Sequence, residues 1–151
     1  MSQSLTKLYA HIIFSTKDRF PFLTEESLRT EVHAYIGGIL KTLDSPPVII
    51  GGVADHIHVL CQISKNHSAS KIIGELKRVS SLWIKTKRDM LTKFHWQNGY
   101  GAFSIGRSEL NVVRAYIENQ EEHHRTKTFQ DEFRNFMQEY GMDFDERYVW
   151  E

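Results

Sequence analysis

The 151 residues contain a single cysteine, Cys61, which excludes an intrachain disulfide. They also lack any apolar run near the roughly 20 residues that a membrane-spanning helix needs. Met1 to Lys7 is polar and leads into a short apolar segment with no cleavage-site pattern. No signal peptide is expected, and the expected location is the cytoplasm, with no membrane partner. Repeats, low-complexity tracts and linkers are missing too, so one domain over residues 1–151 is expected. A surplus of charge is absent as well: 19 Lys and Arg stand against 19 Asp and Glu. Indiscriminate grip on nucleic acid draws on surplus cations, so zero net charge argues against it.

What is present is a globular composition, 40% hydrophobic and 25% charged, in a chain long enough to bury one good core. The charge is segregated along the chain. Lys71 to Lys93 carries seven basic residues against two acidic, and Asp131 to Glu151 seven acidic against two basic. Each run reads as a solvated helix face or as an interaction surface. Lys77, Arg78, Lys85 and Lys87 of the first run are the candidates for contacts to nucleic-acid phosphates.

Leu8 to Phe14 is short, β-branched and aromatic, and reads as a strand. Thr24 offers an N-cap for a helix to about Leu43, with Leu28, Val32, Tyr35, Ile36, Ile39 and Leu40 in its apolar stripe. Val48–Ile50 and Ile57–Ile63 read as two further strands. Ser68 or Ser70 can cap a second long helix. Phe94 to Ser104 reads as strand or hairpin, Ser108 to about His124 as a third helix, and Phe129 to Tyr140 as a fourth, closed by Gly141. The order β-α-β-β-α-β with extra C-terminal helices predicts an α+β fold, a ferredoxin-like or RRM-like antiparallel sheet. Helices are expected on one face, the other remaining open.

Three features carry chemistry. On a strand, Ile57, Val59, Cys61 and Ile63 share one face, so His56, His58 and Gln62 share the other. Two imidazoles so placed can reach one divalent ion; alone, they equally suit a half-exposed surface. Asp55 reads as a turn residue or as an orienter of a neighbouring imidazole. On the third helix, Tyr116 and Gln120 share a face at i, i+4 spacing. A tyrosine there is a nucleophile only if a metal or base stabilises its phenolate, and otherwise packs. His124 shares that face and reads as a polar helix end. Trp96 to Ser104 interleaves aromatics with glycine and suits either base stacking or a core hairpin.

Asp55-His-Ile-His58, Trp96-Gln-x-Gly-Tyr-Gly-x-Phe-Ser104 and Tyr116-x-x-x-Gln120, in this order, resemble the single-tyrosine HUH transposases of the IS200/IS605 type. So do His11-Ile-Ile-Phe-Ser-Thr-Lys17 and Asp145-Glu-Arg-Tyr-Val-Trp150, so the resemblance spans nearly the whole chain. It implies that His56, His58 and Gln120 hold Mg²⁺ or Mn²⁺ and that Tyr116 attacks the scissile phosphate. The products would be a 5′-phosphotyrosine and a free 3′-OH. It further implies single-stranded DNA with hairpin ends as substrate, and a homodimer in which the tyrosine helix docks in cis or in trans. Three neutral ligands would leave the charge of the ion uncompensated until a DNA phosphate joined it. A domesticated palindrome-processing relative and a non-catalytic RRM-like single-strand binder are the competing expectations.

Overall fold

A computed structural model describes residues 2–151. Four strands form one antiparallel sheet: β1 (Leu8–Ser15), β2 (Pro47–Val53), β3 (His56–Ile63) and β4 (Gly101–Ile105), in the spatial order β2-β3-β1-β4. Helices α1 (Glu26–Thr42) and α2 (Ala69–Ile84) complete the expected β-α-β-β-α-β order. Three more follow: α3 (Leu110–Glu118), α4 (Gln120–His123) and α5 (Phe129–Glu139).

The caps follow local chemistry. Ser68 Oγ accepts the Lys71 amide at 3.1 Å and opens α2, and Thr128 Oγ1 accepts the Asp131 amide at 3.2 Å and opens α5. Gly141, at φ 63°, takes the left-handed position after α5, which side chains other than glycine disfavour. Thr24 does not cap α1; its hydroxyl donates to the Pro21 carbonyl at 2.8 Å. The expected third helix divides in two. Asn119, at φ −97° and ψ 21°, leaves helical geometry between α3 and α4 and turns the chain there.

The sheet has two different faces. Ala10, Ile12, Phe14, Ile57, Val59 and Cys61 point to one side and pack with Leu28, Val32, Ile36 and Leu40 of α1 and Ile72, Ile73 and Leu76 of α2. The other side carries His11, Ile13, His56, His58 and Leu60, and it is covered rather than open. Ile13 packs with Phe103, Phe129, Phe133 and Met137, while Leu60 packs with Ile105 and Ile117. The open face expected by analogy with RRM domains is therefore corrected: α3 and α5 close it. The physical reason is visible in β1, where Ile12-Ile13-Phe14 is a continuous apolar run that needs cover on both sides.

Candidate catalytic and metal centre

β3 brings His56 and His58 to the second face, both fully buried. Opposite His58 on β2 stands Gly51. A Cβ there would lie 2.8 Å from the Ile117 side chain and 2.8 Å from the Ile117 carbonyl oxygen. A glycine is what lets α3 lie this close to the sheet, and Tyr116 comes with it. The turn at Asn119 then aims Gln120, His123 and His124 at the same point.

The centre of the cluster is a residue that sequence reasoning missed. Glu132 of α5 is buried, with its carboxylate among the predicted residues. Oε1 lies 2.9 Å from His58 Nε2 and 3.4 Å from His56 Nε2. Oε2 lies 3.1 Å from His124 Nε2 and 3.4 Å from His123 Nε2, and accepts the amide of Gln120 at 3.3 Å. The Tyr116 hydroxyl donates to Oε2. Gln120 Oε1 is 3.2 Å from His56 Nε2, and Asp55 Oδ1 is 2.7 Å from His56 Nδ1. Asp55 is thus an orienter of its neighbouring imidazole.

The electrostatics follow from these contacts. Burial raises the cost of the Glu132 charge, but hydrogen bonds from His124, His56 and His58 outweigh it and hold the carboxyl well below its usual range. For His56, burial opposes the cation while Asp55 and Glu132 favour it more, so this ring holds a proton above the ordinary histidine range. Burial wins at His58, which stays neutral. Burial, and then the Glu132 charge, push the Tyr116 hydroxyl well above the ordinary tyrosine range. With the Glu132 carboxylate accepting its hydrogen and His123 Nε2 at 3.1 Å, Tyr116 is a proton donor and a poor nucleophile. Positive charge placed in the cluster would reverse that.

The donor set fits a divalent ion. One ligand atom from each of His56, His58, His124 and Glu132 lies within 4.8 Å of the others, and imidazole with carboxylate suits Mn²⁺ while the carboxylate suits Mg²⁺. Glu132 would add an anion to the uncharged set expected from His56, His58 and Gln120.

The structure brings Tyr116, His56, His58 and Gln120 together. It does not bring the four basic candidates with them, because α2 lies across the sheet. The Lys77 ammonium donates to the carbonyls of Gln97, Asn98 and Gly99, at 2.9, 3.2 and 2.6 Å. Burial lowers its pKa to about 8. Arg78 pairs with Glu75 at 2.9 Å and Lys87 with Glu31 at 3.7 Å, while Lys85 is half-buried. Trp96 is core rather than a stacking platform: its ring packs edge-on to Phe14 and Phe94, and its indole donates to Ser80. Glu132 had one sequence signal. It falls on the stripe Phe129, Glu132, Phe133, Phe136, at helical spacing, so an acid sits on an apolar face.

Residues 4–120 match the family described as Transposase IS200 like. Among solved structures, the chain is similar to an assigned transposase of Deinococcus radiodurans R1, with a TM-score of 0.61 and 20% identity over 80% of this chain and 98% of that one. It is also similar to a REP-associated tyrosine transposase bound to a REP hairpin, with a TM-score of 0.59 and 13% identity over 82% and 74% of the two chains. At these identities the likeness is one of fold. No curated protein matches the sequence. The matched stretch ends at Gln120, so His123, His124 and Glu132 lie beyond it.

Proposed function

Because the chain belongs to the IS200-like transposase family, we propose that it cuts and rejoins single-stranded DNA through a covalent bond to Tyr116. The observation that carries this reading is the convergence of Tyr116, His56, His58, Gln120 and Glu132 in one buried cluster. His56, His58 and Glu132, with Gln120 and His124 beside them, would hold Mg²⁺ or Mn²⁺. When bound, the ion supplies positive charge for the phosphate oxygens and for a phenolate. Tyr116 Oη forms a bond to phosphorus while the bond from phosphorus to the 3′ oxygen breaks. His123, whose Nε2 lies 3.1 Å from the Tyr116 hydroxyl, would take the tyrosine proton and give it to the leaving 3′ oxygen, so the step balances. The product is a 5′-phosphotyrosine, and attack by another 3′-OH reverses the step without an external energy source.

A strand reaches this centre through a groove of about 780 Å³ that includes Asp55 and His124 from the cluster and Arg19, Arg29, Arg125 and Lys127 along its walls. Arg19, Arg125 and Lys127 there suit phosphates close to the chemistry, whereas Arg29 is held by the Leu23 and Thr24 carbonyls and by Glu121. Arg78 on α2, and Lys85 and Lys87 just past its end, would hold DNA away from it, whereas Lys77 is committed to its carbonyls. The solved relative bound to a REP hairpin supports hairpin DNA as the ligand, and with it a second reading in which the substrates are repeated palindromes rather than transposon ends.

The cluster is complete within one chain, so in the homodimer we propose each copy carries a finished centre. Mixing Tyr116→Phe chains with His58→Ala chains would then restore no activity. The direct test incubates the protein and Tyr116→Phe with labelled hairpin-bearing single strands and Mn²⁺, followed by a denaturing gel. An adduct in the parent and none in the variant is the expected result. An adduct that persists in Tyr116→Phe moves the nucleophile elsewhere.

A further inference from the structure

His11 of β1 sits beside the centre and has been given no task. It is buried, facing Leu60 across the β1–β3 ladder and lying diagonal to His58. Its ring is enclosed by aromatic groups, with centroids 5.2 Å from Phe136, 6.4 Å from Tyr116 and 6.5 Å from Phe103. An apolar ring would suit that pocket at least as well, because a buried polar group costs free energy unless it is hydrogen-bonded. Among the described residues, His11 has one polar side-chain contact: its Nε2 lies 2.8 Å from His58 Nδ1.

That contact bears on which nitrogen of His58 faces the ion. A neutral imidazole carries one N–H, so a lone pair at Nε2 requires the proton at Nδ1. Nε2 is the atom that faces Glu132 and the cluster, so a proton at Nδ1 needs an acceptor behind it. Asp55 supplies one for His56, at 2.7 Å from Nδ1. His11 stands in the equivalent place for His58.

We propose that His11 is a positioning residue that accepts the Nδ1–H of His58 and so presents His58 Nε2 as a lone pair to the metal. The two imidazoles are then supported differently, one by a carboxylate and one by a neutral ring. Losing a partner of this kind ordinarily weakens metal binding tenfold to a hundredfold. The proposal rests on the metal reading above.

The test titrates Mn²⁺ into the DNA-free protein by calorimetry, for the parent, His11→Phe and His11→Gln. His11→Phe keeps a ring in the pocket and removes the acceptor, and it should bind Mn²⁺ ten to a hundred times more weakly. His11→Gln places an amide oxygen near the lost nitrogen and should recover most of the affinity. Equal affinity in parent and His11→Phe, or a Gln variant as weak as Phe, would overturn the assignment of His11 and leave the metal reading standing. A parent that does not bind Mn²⁺ would remove both. Should His11→Phe fail to fold, the parent alone decides: nitrogen-proton correlation spectra with ¹⁵N-histidine and Mg²⁺ should show His58 protonated at Nδ1 and His11 unprotonated at Nε2. A proton on His11 Nε2 in the loaded protein would refute the proposal.

Discussion

The two faces of the sheet are made by alternate residues of the same strands, yet they obey different rules. On the α1–α2 side, Ile57 and Val59 pack into the main apolar core and the return is hydrophobic burial. One residue along, His56 and His58 are as deeply buried but face Glu132, Gln120 and Tyr116. The second face spends part of its packing on polar groups that must all be paired, and none is left without a hydrogen-bond partner among the described residues. A single strand thus separates stability from chemistry by the pleat alone.

The sharpest way to break this comparison is to truncate neighbours on β3. His58→Ala should abolish DNA cleavage at any practical Mn²⁺ concentration. Ile57→Ala should cost about 2–5 kcal/mol in unfolding free energy, as cavity-forming substitutions do, while the molecules that remain folded bind Mn²⁺ with parental affinity. Cleavage of labelled single strands, denaturant unfolding and calorimetry on both variants decide. Loss of metal affinity in folded Ile57→Ala would mean that the faces are not separable.

Glu132→Gln comes next. It keeps the shape but removes the one buried anion of the cluster and turns one accepting oxygen into a donor, and divalent-ion affinity should fall by roughly tenfold to a hundredfold, read by calorimetry. The raised His56 should return toward the ordinary histidine range, since Glu132 is one of the two groups holding its proton. An unchanged Mn²⁺ affinity would exclude Glu132 as a ligand.

How much of this was legible beforehand divides along the same line. Period-two alternation placed His56 and His58 together and opposite Ile57, because a pleat is a local property. The Ser68 and Thr128 caps and the Gly141 stop were likewise local. Glu132 was hidden because the acidic run after Asp131 reads as solvated, and only packing against the sheet tells the inward acid from the outward ones. Lys77 was misleading for the mirror-image reason: a lysine in a basic run turns inward to three carbonyls. The break at Asn119 left no trace in the apolar spacing, and the covered second face depends on where α5 docks, which no local pattern dictates.

Gly51→Ala tests whether the second face is set as closely as the first. The added methyl meets the Ile117 carbonyl as well as its side chain, so α3 must retreat from the sheet and take Tyr116 with it. Displacing a nucleophile by about 1 Å costs on the order of a hundredfold in rate, while overpacking costs about 1–3 kcal/mol in stability. Single-turnover cleavage with saturating DNA measures the first and denaturant unfolding the second. Parental cleavage in Gly51→Ala would show that α3 is not positioned by this contact.

The smallest effect contrasts the two sides in their treatment of a histidine. His33 lies on α1, where burial, and then the nearby Arg29 charge, lower its pKa to about 4. His56, across the sheet, is raised because Asp55 and Glu132 outweigh burial. The sign for His33 follows directly. In the folded protein the ring stays neutral, whereas in the unfolded chain it takes up a proton below the ordinary value of about 6.5. The unfolded state therefore binds more protons between pH 6.5 and about 4, and stability falls as pH drops through that window, levelling once the folded ring also protonates. The slope is at most about 1.4 kcal/mol per pH unit, or roughly 2 kcal/mol between pH 6.5 and 5. Other groups titrate there too, so the informative quantity is the difference between parent and His33→Gln, measured by urea unfolding from pH 7 to pH 5. The parent should lose ground against the variant as pH falls. A difference that stays flat with pH would mean that His33 is as well solvated as a surface histidine, and that the α1 side does not exclude charge in the way the comparison of faces requires.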